Sequence, residues 1–139
     1  MRVGEDVVEA VATEVSMRMQ EPTYAHVAVG SFVQAFPDLS RFLTAKTDAL
    51  GGGEAVIHAV FHAEVLAECF RRATHAELAS IGFVELDAAA GPDRLEALSE
   101  LEPAIASYIA SNIDAPPLRE LLAHLGLALR AAAAPRSGA

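Results

Sequence analysis

The stretch that most constrains the fold is 51–74, GGGEAVIHAVFHAEVLAECFRRAT. Three glycines allow one helix to end and another to begin, and no glycine or proline interrupts the run that follows. At 100° per residue this run carries two apolar rows: Val56, Val60, Ala63, Ala67 and Phe70, and then Ile57, Phe61 and Val65. A helix that is apolar around most of its circumference must be covered on most sides. We therefore expect an all-α fold, a compact bundle of six to eight helices around a central helix at about 54–73.

Prolines, glycines and capping residues divide the rest of the chain into further helices. Helical spacing of apolar residues predicts them over 5–20, 22–36, 37–50 and 75–89, and again after Asp93, Pro103 and Pro117. The uncharged helix over 22–36 is expected to be buried through Val29, Phe32, Val33 and Phe36. Thr74 and Glu77 match the capping-box pattern, so 54–89 is either two helices or one long bent helix. We expect a single domain over 1–134 and a disordered tail over 135–139.

The charge of the chain excludes several classes of partner. Nineteen acidic residues against ten basic ones give a net charge of −9, whereas nucleic acids and anionic membranes require a basic surface. The longest uncharged run, 22–37, is too short to cross a membrane. The acidic N-terminus does not resemble a signal peptide, and a single cysteine excludes an internal disulfide. We therefore expect a cytoplasmic protein that binds neither nucleic acid nor membrane.

One part of the chain concentrates this negative charge. Seven acids between 77 and 102 accompany a single base, Arg94; they are Glu77, Glu85, Asp87, Asp93, Glu96, Glu100 and Glu102. A solvated face is the ordinary interpretation of such a cluster. The alternative is a docking surface for a basic protein partner.

The sequence lacks the usual catalytic motifs. It contains no phosphate-binding loop, no Gly-x-Ser-x-Gly, no His-Glu-x-x-His and no Glu-x-x-His pair. We therefore lean against an enzyme and expect no cofactor. The apolar fraction, 53%, exceeds that of an ordinary globular domain. This excess favours a non-enzymatic interaction or regulatory module that self-associates as a homodimer.

The last helix provides the candidate contact for this dimer. It carries an unbroken leucine stripe, and the interface residues predicted from it are Leu118, Leu122, Leu125 and Leu129. A stripe of this kind also serves ordinary core packing.

A flank of the central helix raises the question of a metal site. His58, His62 and Cys69 lie within about 40° of one another on the helical wheel. Two histidines four residues apart can chelate zinc, but Cys69 lies about 10 Å further along the axis. A site would therefore need a donor from another helix, such as His26, Glu120 or His124. The favoured interpretation is partly buried, neutral histidines; the alternative is a metal-, haem- or small-ligand-binding bundle that uses the His58/His62 flank.

Overall fold

The computed structural model describes residues 2–74, 78 and 81–133. Within these residues the regular secondary structure is all helical, without a strand, which confirms the predicted all-α class. The helices are α1 (Glu5–Arg18), α2 (Pro22–Ala35), α3 (Pro37–Ala45), α4 (Thr47–Leu50), α5 (Gly53–Thr74), α6 (Phe83–Ala89), α7 (Arg94–Leu101), α8 (Pro103–Asn112) and α9 (Pro116–Ala133). The predicted tail, 135–139, lies outside the described residues.

The described residues form nine helices, whereas the sequence predicted six to eight. The predicted helix over 37–50 is in fact two, because the chain leaves regular helical geometry at Lys46. Prolines occupy the first position of α2, α3 and α8, where a missing backbone N–H carries no penalty. Gly51, with a φ of 102°, ends α4 in the left-handed conformation that favours glycine.

Residues 54–89 do not form one continuous helix. α5 ends at Thr74, and Leu78, Ile81 and Gly82 are not helical, so no continuous helix reaches position 89. The Thr74 hydroxyl donates to the backbone oxygen of Phe70 at 2.9 Å, as a residue in the last turn of a helix does. The acidic half of the predicted capping box, Glu77, lies outside the described residues.

The central position of α5 is confirmed by its neighbours. It contacts α1, α2, α3, α4 and α9, and it buries the predicted residues Val60, Ala63, Ala67 and Phe70. α9 approaches it closely, because a Cβ atom placed on Gly126 would lie 3.7 Å from Leu66 and 3.1 Å from Leu98 of α7. Because Gly126 has no side chain, α9 can pack closely against both α5 and α7.

The uncharged helix α2 is less buried than the sequence predicted. Phe32 and Phe36 lie in the core with their ring centroids 5.3 Å apart, and Val29 is half-buried. Val33, however, is exposed, so its predicted core position is wrong. The reason is that α2 packs on the core along one side only, mainly through Phe32 and Phe36, while its opposite side is exposed to solvent.

A buried carboxylate connects the two ends of the chain. Glu102, between α7 and α8, has no accessible surface, and among the described residues it is the only charged side chain in the core. Its carboxylate accepts the Val3 N–H at 2.6 Å and the Arg130 Nε–H at 2.8 Å. The expectation that Glu102 belongs to a solvated acidic face is therefore wrong, since a carboxylate can be buried where charged and backbone donors replace its water.

Replacing Glu102 tests this connection. Glu102→Ala removes the acceptor shared by Val3 and Arg130, and we expect the free energy of unfolding to fall by about 3 kcal/mol. Glu100→Ala is the matched control, because the Glu100 side chain is exposed and only its backbone oxygen accepts a hydrogen bond from Arg2. Urea unfolding followed by circular dichroism measures both variants. Equal stability of the two variants would show that the buried carboxylate does not hold the chain ends.

Candidate functional site

The structure separates the three predicted metal ligands by their environment. His58 is exposed, His62 is half-buried and Cys69 is fully buried, although all three lie on α5. Across 2–74, 78 and 81–133, no group of three or more His, Cys, Asp or Glu residues is placed to hold a metal ion. The geometry therefore does not bring His58, His62 and Cys69 together as one coordination sphere.

The additional donors suggested by the sequence are engaged elsewhere or exposed. His26 is exposed on α2. The His124 Nε2 lies 2.6 Å from the backbone oxygen of Leu86. Both carboxylate oxygens of Glu120 accept backbone N–H groups at the start of α7. None of these side chains completes a site with His62.

The partner of His62 is Tyr108 on α8, which sequence reasoning missed. The His62 Nδ1 and the Tyr108 hydroxyl lie 2.8 Å apart, and the two rings meet edge to face with centroids 5.8 Å apart. The signal was present in the spacing, because Tyr108 aligns with Ile105 and Ile109 on the buried face of α8. A tyrosine buried in this way usually needs a hydrogen-bond partner for its hydroxyl.

Burial keeps this part of the interior uncharged. It lowers the pKa of His62 to about 4, with a smaller contribution from the nearby His58. It raises the pKa of the Cys69 thiol to about 12 and raises the pKa of Tyr108 as well. All three groups are therefore neutral at pH 7, while proton transfer is most effective for groups whose pKa lies near the working pH. Zinc binding by Cys69 would also require the thiolate that burial disfavours.

The predicted interface leucines lie inside their own chain. Leu122, Leu125 and Leu129 have no accessible surface, and Leu118 is half-buried. α9 uses this stripe to pack against α5, α6, α7 and α8. A second copy could reach Leu122, Leu125 and Leu129 only if the core opened, so these three leucines serve core packing within the chain.

The helix with the most unusual surface is α2. None of its fourteen residues is charged, and its outer arc is exposed. We call this arc the α2 face; it consists of Thr23, His26, Val27, Gly30, Ser31 and Gln34, which recur at helical spacing. α8 is equally free of charge, but it buries Ile105, Ala106, Tyr108 and Ile109. An uncharged helix in a chain of net charge −9 is thus left largely uncovered.

Gly30 lies in the middle of the α2 face without a local reason for a glycine. Its φ is not positive, and apart from its chain neighbours and the backbone of its own helix, no described heavy atom lies within 4 Å of the position that a Cβ atom would take. Glycine within a helix costs about 1 kcal/mol relative to alanine. Nothing in the described packing of the chain offsets that cost. A glycine here would be favourable if the backbone of another molecule packed closely against it.

The surface of the described residues also carries several clefts. One lies between α1 and α8, has a volume of about 440 Å³, and is lined by Glu5, Glu9, Thr13, Tyr108 and Asn112. A second has a volume of about 290 Å³ and lies where α3, α4, α7 and α9 meet. None of the helices in the described part of the chain combines the length and apolar character needed to cross a membrane.

Comparison of the chain with protein-family models, with curated proteins and with solved structures yields no match. Its function is therefore inferred from its own residues and geometry.

The neutral His62 gives the folding stability a defined pH dependence. Between pH 6.5 and about 4 the unfolded chain binds a proton at residue 62 that the folded chain does not. The free energy of unfolding should therefore be highest above pH 6.5 and decrease toward pH 4. The lowered pKa of His62 corresponds to a change of about 3 kcal/mol in the free energy of unfolding. Because His62 is only half-buried, the loss of stability that is measured should be smaller.

His62→Gln should remove this contribution, whereas His58→Gln should retain most of it because His58 is exposed. Urea unfolding from pH 7 to pH 4.5 measures each profile. Burial raises the pKa of Glu64, which opposes the His62 effect as pH falls, so each variant is compared with the wild type at every pH. A His62→Gln profile parallel to that of the wild type would contradict the assignment.

Proposed function

We propose that the protein is a non-enzymatic interaction or regulatory module that self-associates as a homodimer through the α2 face. The observation that carries the proposal is the combination of no charge and high exposure on α2. Val27, in the middle of this face, is 57% exposed. The neutral state of His62, Tyr108 and Cys69 supports a role without proton transfer at pH 7.

The charge of the chain favours a second copy as the occupant of the α2 face. Two molecules of net charge −9 repel each other wherever their acidic surfaces meet. A two-fold contact places one patch against the same patch of the partner. In a self-contact through the α2 face, the side chains of one copy therefore pack against the same uncharged side chains of the other copy. No acidic, lysine or arginine side chain of α2 is buried in this contact.

The size of α2 limits the strength of this contact. Fourteen residues extend about 21 Å along the helix axis, whereas a standard interface buries about 800 Å² on each partner. α5 packs against α2, and its Ile57 is 56% exposed. Ile57 offers further apolar surface to such a contact, and we expect a dimer that forms at micromolar concentration.

A second candidate function is the docking of a basic protein partner on α6 and α7. Glu85, Asp87, Asp93, Glu96 and Glu100 are all exposed in this part of the chain. Glu77 lies outside the described residues, and Glu102 is buried. The alternative of metal, haem or small-ligand binding at the His58/His62 flank has less support, because His62 is bonded to Tyr108 and no three-ligand group is found in the described residues.

A pair of charge-adding variants tests the homodimer. We expect the wild-type protein to sediment as a dimer at tens of micromolar and Val27→Arg to sediment as a folded monomer, because the arginine would be buried unpaired at the contact. Val84→Arg is the matched control, since Val84 is 80% exposed on α6 and receives the same charge outside the α2 face. A monomeric wild type, or a dimer that survives in Val27→Arg, would refute the α2 contact. Loss of the dimer in Val84→Arg alone would place the contact on α6.

Gly30→Ala tests whether the backbone of the second copy lies close to Gly30 in the proposed dimer. In the monomeric Val27→Arg background, alanine should raise the free energy of unfolding by up to about 1 kcal/mol, because the space around Gly30 is open. In the wild-type background the added methyl group should weaken the dimer. An effect on stability without an effect on dimer affinity would show that the partner backbone does not approach Gly30.

A further inference from the structure

The smaller cleft differs from the rest of the acidic molecule in its charge. It lies where α3, α4, α7 and α9 meet and is lined in part by Phe42, Lys46, Leu50, Arg94 and His124. Its volume of about 290 Å³ is at the lower end of the range of small-molecule pockets. It can therefore admit a small molecule but not a folded chain.

The floor of the cleft is aromatic and fixed in position. The rings of Phe42 and His124 meet edge to face, with centroids 5.3 Å apart and an interplanar angle of 85°. The His124 Nε2–H donates to the backbone oxygen of Leu86 at 2.6 Å, since a carbonyl can only accept. Leu50 and Leu121 add apolar walls. These contacts hold an apolar surface ready for the body of a ligand.

Glu120, the acidic residue that lines the cleft among the described residues, is already hydrogen-bonded. The Glu120 carboxylate accepts the backbone N–H groups of Arg94 at 2.8 Å and of Leu95 at 3.1 Å. These groups are at the start of α7, where the helix dipole favours a negative charge. Glu120 therefore caps α7 instead of pairing with a cation of the cleft.

Arg94 is held in place by the backbone and not by an acid. Its guanidinium donates to the backbone oxygens of Ala89 at 3.0 Å and Pro92 at 3.1 Å. Gly91 makes room for it, because a Cβ atom there would lie 3.0 Å from the guanidinium. Gly91 also has a φ of 155°, which side chains rarely adopt. The arginine side chain is thus held in place without an ion pair to a carboxylate of the described residues.

Lys46 supplies the second cation. It is the only lysine of the chain, and its ammonium group lies 5.2 Å from the centroid of the Phe42 ring. The side chain makes no ion pair within the described residues. Most other bases are paired with acids, namely Arg18, Arg41, Arg71, Arg72 and Arg130. Two cations that make no ion pair within the described residues therefore line one small cleft, together with apolar side chains and the hydrogen-bonded Glu120.

We propose that this cleft binds a small organic carboxylate with a compact apolar body. The carboxylate takes the position between Lys46 and Arg94, where charge-assisted hydrogen bonds replace its hydration. The body packs on Phe42 and His124, with Leu50 and Leu121 at its sides. This site lies on other helices than the α2 face, so it does not depend on the proposed dimer.

Titration of the full-length protein with benzoate, followed by two-dimensional NMR of the backbone amides, tests the site. We expect saturable shifts at Lys46, Gly91, Arg94 and Leu121, and at least about tenfold weaker binding of the neutral analogue benzamide. Inorganic phosphate, which has the charge but no apolar body, should bind more weakly than benzoate. Absence of saturable shifts at tens of millimolar benzoate would overturn the proposal, as would equal binding of benzamide or tighter binding of phosphate.

Lys46→Gln separates the cleft from a general effect of charge. Lys46 is exposed between α3 and α4, so glutamine should leave the fold intact, and we expect benzoate affinity to fall at least about tenfold. Arg18→Gln is the matched control, because it removes one positive charge from the exposed surface of α1. Retained affinity in Lys46→Gln, or an equal loss in Arg18→Gln, would overturn the assignment of the site to this cleft.

Discussion

The buried carboxylate of Glu102 is the interaction on which the arrangement of the terminal helices depends. It binds the backbone just before α1 and the Arg130 side chain near the end of α9, while its own residue joins α7 to α8. α9 in turn packs against α5 and forms part of the cleft through Leu121 and His124. A single carboxylate thus links the backbone before α1 to α9, the helix that also forms one wall of the candidate ligand site.

Helical periodicity was sufficient to predict the class of the fold and its centre. The spacing of Val60, Ala63, Ala67 and Phe70 identified the buried side of α5, because each residue of a helix has a fixed angular position. The break at Lys46 and the burial of Glu102 could not be predicted in this way. Both depend on contacts between residues distant in sequence, and the periodicity of one helix contains no information about its partner.

The same limitation explains the results for the candidate sites. The wheel placed His58, His62 and Cys69 on one flank, but neighbouring helices cover that flank unevenly and leave only His58 exposed. The partner of His62, Tyr108, lies 46 positions further along the chain. A leucine stripe shows that a helix face is covered, and the structure shows that the chain itself covers it on α9.

The two proposed sites both differ in charge from a molecule that is acidic as a whole. Repulsion between molecules of net charge −9 disfavours most encounters of two copies, and a contact through the uncharged α2 face brings no charged side chain of that helix against another. At the cleft, Lys46 and Arg94 attract an anion against the same background. Salt therefore acts on the two sites in opposite directions: screening over about 8 Å at physiological ionic strength weakens the repulsion between copies and also weakens the attraction of the carboxylate.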